Sequence, residues 1–113
     1  MQIAFPTNGE KLEAEISFHF GRVQNYLIYN TQTKEFKIYS NPEVTGKQEP
    51  PPDFLNRLGV NVVIVFSLGP KAFDKFRKYG IELYKAINKN IKENIKEFQK
   101  GNLSPLEEKS PFY

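Results

Sequence analysis

The one imidazole of the chain lies in Ser17-Phe18-His19-Phe20-Gly21-Arg22. An imidazole can ligate a borderline metal, and the guanidinium three residues on can fork onto an anionic ligand. A histidine between phenylalanines is also how a packed, hydrogen-bonded side chain looks, and one ligand does not make a metal site. Cysteine is absent, which excludes disulfides, thiolate nucleophiles, and the zinc or iron-sulfur sites that need Cys ligands. A His-His or His-Cys dyad within one chain is excluded with them. A second grouping runs from Phe66 to Ala72, where a strand gives way to Gly69, Pro70 and a helix start. Such a turn aims the open amides of the helix N-terminus at the carboxyl edge of a sheet, where anions bind. It lacks the GxGxxG and GxxxxGK[ST] spacings of nucleotide loops, and a simple crossover turn reads the same way.

These residues need elements to carry them. Gln2 to Phe5 reads as a strand halted by Pro6, with Thr7-Asn8-Gly9 as a turn. Residues 10 to 22 read as an irregular excursion, although Leu12, Ala14 and Ile16 alternate with glutamates. Asn25 to Asn30 and Glu35 to Ser40 are rich in Tyr, Ile and Phe and form a hairpin across Thr31-Gln32-Thr33-Lys34. Asn41 to Pro52 is a long loop stiffened by three final prolines, after which Asp53 caps a short helix, Phe54 to Leu58, ended by Gly59. Val60 to Phe66 is almost entirely β-branched or aromatic and is expected at the centre of the sheet, buried on both faces. Pro70 to Tyr79 is a helix stopped by Gly80, and Ile81 to Tyr84 is a strand. This order implies a parallel pair joined by a crossover.

The length of 113 residues, 39% hydrophobic and 26% charged, is that of one compact domain. That domain is expected over residues 1–100, with a loosely held tail over 101–113. No apolar run approaches the roughly 20 residues of a membrane span, and Met1 to Pro6 is too short and uncharged for a secretory signal. The expectation is a cytoplasmic protein without a membrane partner. The net charge of +3 is local: Lys85 to Lys100 holds five lysines and two glutamates, and eleven basic and eleven acidic residues balance elsewhere. One helix is expected to carry this excess, with Tyr84, Ile87, Ile91, Ile95 and Phe98 on one stripe and the lysines opposite. A solvated lysine face accounts for it. The absence of interleaved aromatics or arginines argues against a nucleic-acid partner.

The chain resembles the dinitrogenase iron-molybdenum cofactor biosynthesis family across roughly residues 1 to 100. The match lies in Pro6-Thr7-Asn8-Gly9, the stretch 17 to 22, Asn41-Pro42, Leu68-Gly69-Pro70-Lys71-Ala72-Phe73 and Gly80-Ile81-Glu82-Leu83-Tyr84. The resemblance implies a ribonuclease H-like α/β fold: a mixed sheet of roughly five strands with an antiparallel hairpin, a parallel crossover and about three helices. It further implies non-catalytic binding or carriage of an iron-molybdenum cofactor precursor or an iron-sulfur cluster, transiently bound, with donor or acceptor proteins as partners. Carried over by position, His19 matches the motif histidine and is the candidate metal ligand, with Ser17 and Arg22 beside it. Thr7 and Asn8 match the loop after the first strand, and Gly69 and Pro70 match the second loop. Many relatives carry a glycine- and histidine-containing loop after the hairpin. Here that stretch is Glu43-Val44-Thr45-Gly46-Lys47-Gln48-Glu49 and three prolines, so the second ligand is absent. Many relatives have a small residue or glycine where Ser67 stands.

Two other functions compete. A ribonuclease H-like nuclease needs carboxylates clustered on strands around two metals, and Gln2 to Phe5 and Val60 to Phe66 have none. With that reaction set aside, the non-catalytic role implied by the resemblance leads to the expectation that the chain is not an enzyme. The alternative is a module of the same fold that binds a small anion or an acidic partner without metal cargo. The oligomeric state stays open.

Overall fold

The computed structural model describes residues 1–111. Five strands, β1 (Gln2–Thr7), β2 (Asn25–Asn30), β3 (Phe36–Ser40), β4 (Val62–Val65) and β5 (Glu82–Lys85), form one mixed sheet in the order β3-β2-β1-β4-β5. The pairs β1/β2 and β2/β3 are antiparallel, whereas β1/β4 and β4/β5 are parallel. Three helices complete the fold: α1 (Pro51–Arg57), α2 (Pro70–Tyr79) and α3 (Ile91–Gln99). This is the mixed α/β architecture that the sequence predicts.

Strand alternation divides the core in two. On one face Ala4, Tyr26, Ile28, Val63 and Val65 meet Leu55 of α1 and Phe73 and Phe76 of α2. On the other, Ile3, Phe5, Leu27, Val62 and Ile64 meet Ile91 and Ile95 of α3. A period of two on the strands thus feeds both helical layers. The central strand is β1, not the Val60 to Phe66 segment, because the hairpin extends the sheet on the far side of β1 while β5 flanks β4. β4 is interior and buried along its whole length.

Several boundaries differ from expectation. β1 runs through Pro6 to Thr7. The Pro6 carbonyl accepts from Ser17 N–H at 2.8 Å on the side where pairing with β4 stops at Ala4, so the missing donor costs no ladder bond. Asp53 lies inside the first turn of α1 and Pro50 is the N-cap. Pro51 and Pro52 can open the helix because the first N–H groups have no intrahelical acceptor to lose. Tyr84 and Lys85 belong to β5, and α3 begins only after Asn90, whose side chain accepts from Glu93 N–H at 2.9 Å. The buried Asn94 amide fixes the preceding turn, its Oδ1 accepting from Ile87 N–H at 2.9 Å.

Of the tail expected to be loosely held over 101–113, residues 102–110 make defined contacts with the domain, and 112–113 lie outside the described residues. Lys85 N–H donates to Ser104 O at 2.8 Å and Leu106 N–H to Leu83 O at 2.9 Å, so residues 104–106 cover the outer edge of β5. Leu103 is buried in the α3 core, and Ser110 N–H reaches Leu68 O at 2.7 Å. Among the described residues, no helix is long and apolar enough to cross a membrane.

Candidate functional site

β1 and β4 are parallel neighbours, yet the chain leaves their carboxyl ends in different directions: toward β2 from one, toward α2 from the other. Such switch points open crevices in α/β sheets. Here a cleft of about 970 Å³ opens between Phe18–Arg22, Ser67 with Gly69–Ala72 and Lys75, and Pro50–Pro52 with Glu43. Four of the residues expected from sequence, His19, Arg22, Gly69 and Pro70, line it together. Ser17, Thr7 and Asn8 do not. Ser17 makes the turn that presents His19, its Oγ accepting from His19 N–H at 3.1 Å. Thr7 is fully buried, donates its hydroxyl to Glu15 O at 2.8 Å and accepts from Gly9 N–H at 3.0 Å. Asn8 Oδ1 accepts from Gln24 N–H at 3.1 Å, holding the far end of the same loop. These three shape the loop from behind.

The aromatic pattern of residues 18–20 places the imidazole. Phe20 turns inward against Tyr26 and Phe76, with ring centroids 5.1 and 5.4 Å away. Phe18 turns outward and stacks on Phe66 at 4.5 Å. His19, between them, is exposed on the cleft wall. Tyr26 Oη donates to Phe20 O at 2.6 Å, and burial, helped by the Glu43 charge, pushes its phenol far above the ordinary range and keeps it a donor. Asn41, also fully buried, donates from Nδ2 to Gly21 O at 3.1 Å and Val23 O at 2.9 Å while Oδ1 accepts from Glu43 N–H at 3.0 Å. One amide therefore ties the 18–22 wall to the wall that bears Glu43. Its place directly after the hairpin was visible in the sequence; its burial was not.

The cleft is cationic over an apolar floor. Arg22, Lys71 and Lys75 line it against the single carboxylate of Glu43. Lys71 and Lys75 are four residues apart on α2, hence on one helix face, a spacing that could have flagged them beside Gly69-Pro70. Gly69 caps α2 without a side-chain bond and Phe73 N–H makes the first intrahelical bond, to Gly69 O, so the Lys71 and Ala72 amides have no intrahelical acceptor. Lys75 Nζ lies 2.6 Å from Asp53 Oδ2, and Tyr79 Oη donates to the other carboxylate oxygen. The Lys75 and Tyr79 hydrogen bonds hold the Asp53 carboxyl below its usual range, and the Asp53 partner raises Lys75.

A model of the family described as dinitrogenase iron-molybdenum cofactor matches residues 1–101. The chain belongs to this family. An uncharacterized protein of Methanocaldococcus jannaschii is 34% identical over 113 residues, spanning 95% of this chain and 92% of its own. Among solved structures, the apo form of the orange protein from Desulfovibrio gigas is 19% identical with a TM-score of 0.81, over 94% of this chain and 96% of that one. A Thermotoga protein solved by NMR is 23% identical with a TM-score of 0.82, over 99% and 98%. At these identities both share the fold.

The donors of the cleft bear on the cofactor for which the family is named. Among the described residues no group of three or more His, Asp or Glu could hold a metal ion, and the chain has no cysteine. The cleft is not a cage for a bare cation. One imidazole, flexible cations and open helix amides suit a preformed anionic body, attracted by charge and touched by one ligand.

Proposed function

We propose that the chain binds a preformed anionic metallocluster, an iron-molybdenum cofactor precursor or an iron-sulfur cluster, in this cleft and carries it between donor and acceptor proteins without transforming it. The observation that supports this reading best is the convergence of the sole imidazole, His19, with Arg22, Lys71 and the open end of α2 on one concave surface. The cofactor for which the family is described supports this class of cargo. The absence of thiolates fits transient carriage, because a cluster held by one imidazole and by charge leaves more readily than one held by several Cys ligands. The test is anaerobic co-elution of extracted iron-molybdenum cofactor with the protein on gel filtration. The wild type retains the cofactor, and His19→Ala and Arg22→Gln lose it by tenfold or more in affinity. Retention by both variants at wild-type strength contradicts the proposal.

The cationic lining, with no metal-ligand cluster among the described residues, favours a second reading: an anion-binding module without metal cargo. Under it, affinity for simple dianions falls with salt and is indifferent to His19→Ala.

A further inference from the structure

Lys75 stands apart from the other cleft cations. Among the described residues, Arg22 and Lys71 make no ion pair, whereas Lys75 is held at 2.6 Å by Asp53, whose carboxylate also accepts from Tyr79. Asp53 follows directly on Pro51 and Pro52, which form part of the cleft wall, and Lys75 is itself a lining residue. The Asp53 carboxylate thus sits one side chain behind the cationic surface and cancels part of its charge. The pair is partly open to solvent, with 43% of the Lys75 side chain and 25% of the Asp53 side chain exposed, so its ammonium can rotate away without leaving a buried charge.

We propose that Asp53 is an affinity-setting residue of the cleft: its carboxylate and an anion bound in the cleft compete for the Lys75 ammonium. An arriving anion draws Lys75 from Asp53, and the waiting carboxylate takes it back on release, which keeps binding reversible. This rests on the cleft being an anion site, with or without a metal in the anion. Asp53→Asn removes the competitor while leaving the shape and the Tyr79 contact nearly unchanged. One fewer negative charge about 8 Å from a dianion, at a dielectric of about 40 and screened by salt over a Debye length of about 8 Å, tightens binding by roughly three- to fourfold.

The experiment is titration of the full chain with molybdate, followed by amide NMR of the cleft residues, for wild type, Asp53→Asn, Asp53→Glu, Lys75→Met and the Asp53→Asn, Lys75→Met double variant. The expected result is a gain of about threefold or more for Asp53→Asn, wild-type affinity for Asp53→Glu, and no gain in the double variant. A gain cannot come from structural damage, which weakens binding. Equal or weaker binding by Asp53→Asn overturns the competition while an anion site survives. Failure of every variant to bind molybdate overturns it along with the anion reading. Cofactor retention that depends on His19 tests the metallocluster reading separately.

Discussion

The side chain on which the cleft wall depends most is an amide rather than the imidazole. Asn41 is completely buried and supplies three hydrogen bonds to the backbone of Gly21, Val23 and Glu43. Replacing it with alanine leaves the buried Val23 carbonyl without its donor and breaks the bonds to Gly21 O and Glu43 N–H, so Asn41→Ala is expected to cost roughly 2–3 kcal/mol in urea denaturation. The His19 loop should be displaced with it, and cleft binding weakened. The motif from Ser17 to Arg22 was legible because its residue types are unusual together, and the alternation of exposed Phe18 with buried Phe20 explains why two aromatics bracket the imidazole. Thr7 and Asn8 were harder to place. Thr7 ends β1 and Asn8 follows it, at the sheet edge beside the cleft, but each spends its polar group on the loop itself. The sequence does not reveal the role of Lys75 because its relation to Asp53 spans 22 positions and two helices.

Between elements, the contact that matters is that of α1 with α2, whose beginnings flank the cleft. Asp53 links them through Lys75 and Tyr79, and Glu49 is joined to Arg57 at 2.9 Å just before and at the end of α1. Hydrogen bonds from Lys75 and Arg57, respectively, lower both carboxyls in the folded state. The unfolded chain therefore binds more protons between the folded and ordinary carboxyl values, and stability rises with pH across that window. The stabilisation is complete above the ordinary range near pH 4 and is lost as the pH falls through the folded values. Urea midpoints measured from pH 6 down to pH 2.5 should fall at the acid end, and less steeply for Asp53→Asn; identical slopes would deny the link. The sequence marked α2 almost to the residue because Pro70 and Gly80 punctuate it, with Gly80 in the left-handed region at φ 73°. It marked α3 too early because the spacing of Tyr84, Ile87 and Ile91 continues helical periodicity through a strand end and a turn. The structure breaks that run with the Asn90 cap and the Asn94 anchor, tertiary choices that periodicity does not encode.

At the scale of the whole molecule, both faces of the sheet are covered by helices and one of its two edges by the chain's own continuation. Residues 104–106 pair with β5 while Leu103 fills the α3 core. Truncation after Gly101 should cost about 2–4 kcal/mol through lost apolar burial. It should also produce concentration-dependent association through the bared strand edge, read by light scattering; a monomeric truncation of full stability would contradict this role. The pairing of residues 104–106 is not visible in the sequence, since neither the spacing of the prolines nor any apolar period announces a strand. Local composition likewise points to β4, the most hydrophobic strand, as the centre of the sheet, but β1 is central because the hairpin extends beyond it. Strand order follows pairing across the whole chain, which local composition does not report. That order is also what brings the β1 and β4 exits side by side and makes the cleft. If this cleft receives an anionic metallocluster at His19, the single histidine is its single reporter. Anaerobic titration with extracted iron-molybdenum cofactor, followed through the ring resonances of His19 by NMR, should shift or paramagnetically broaden them at one equivalent, with binding lost in His19→Ala. Ring resonances unchanged under saturating cofactor would contradict a cluster bound at His19.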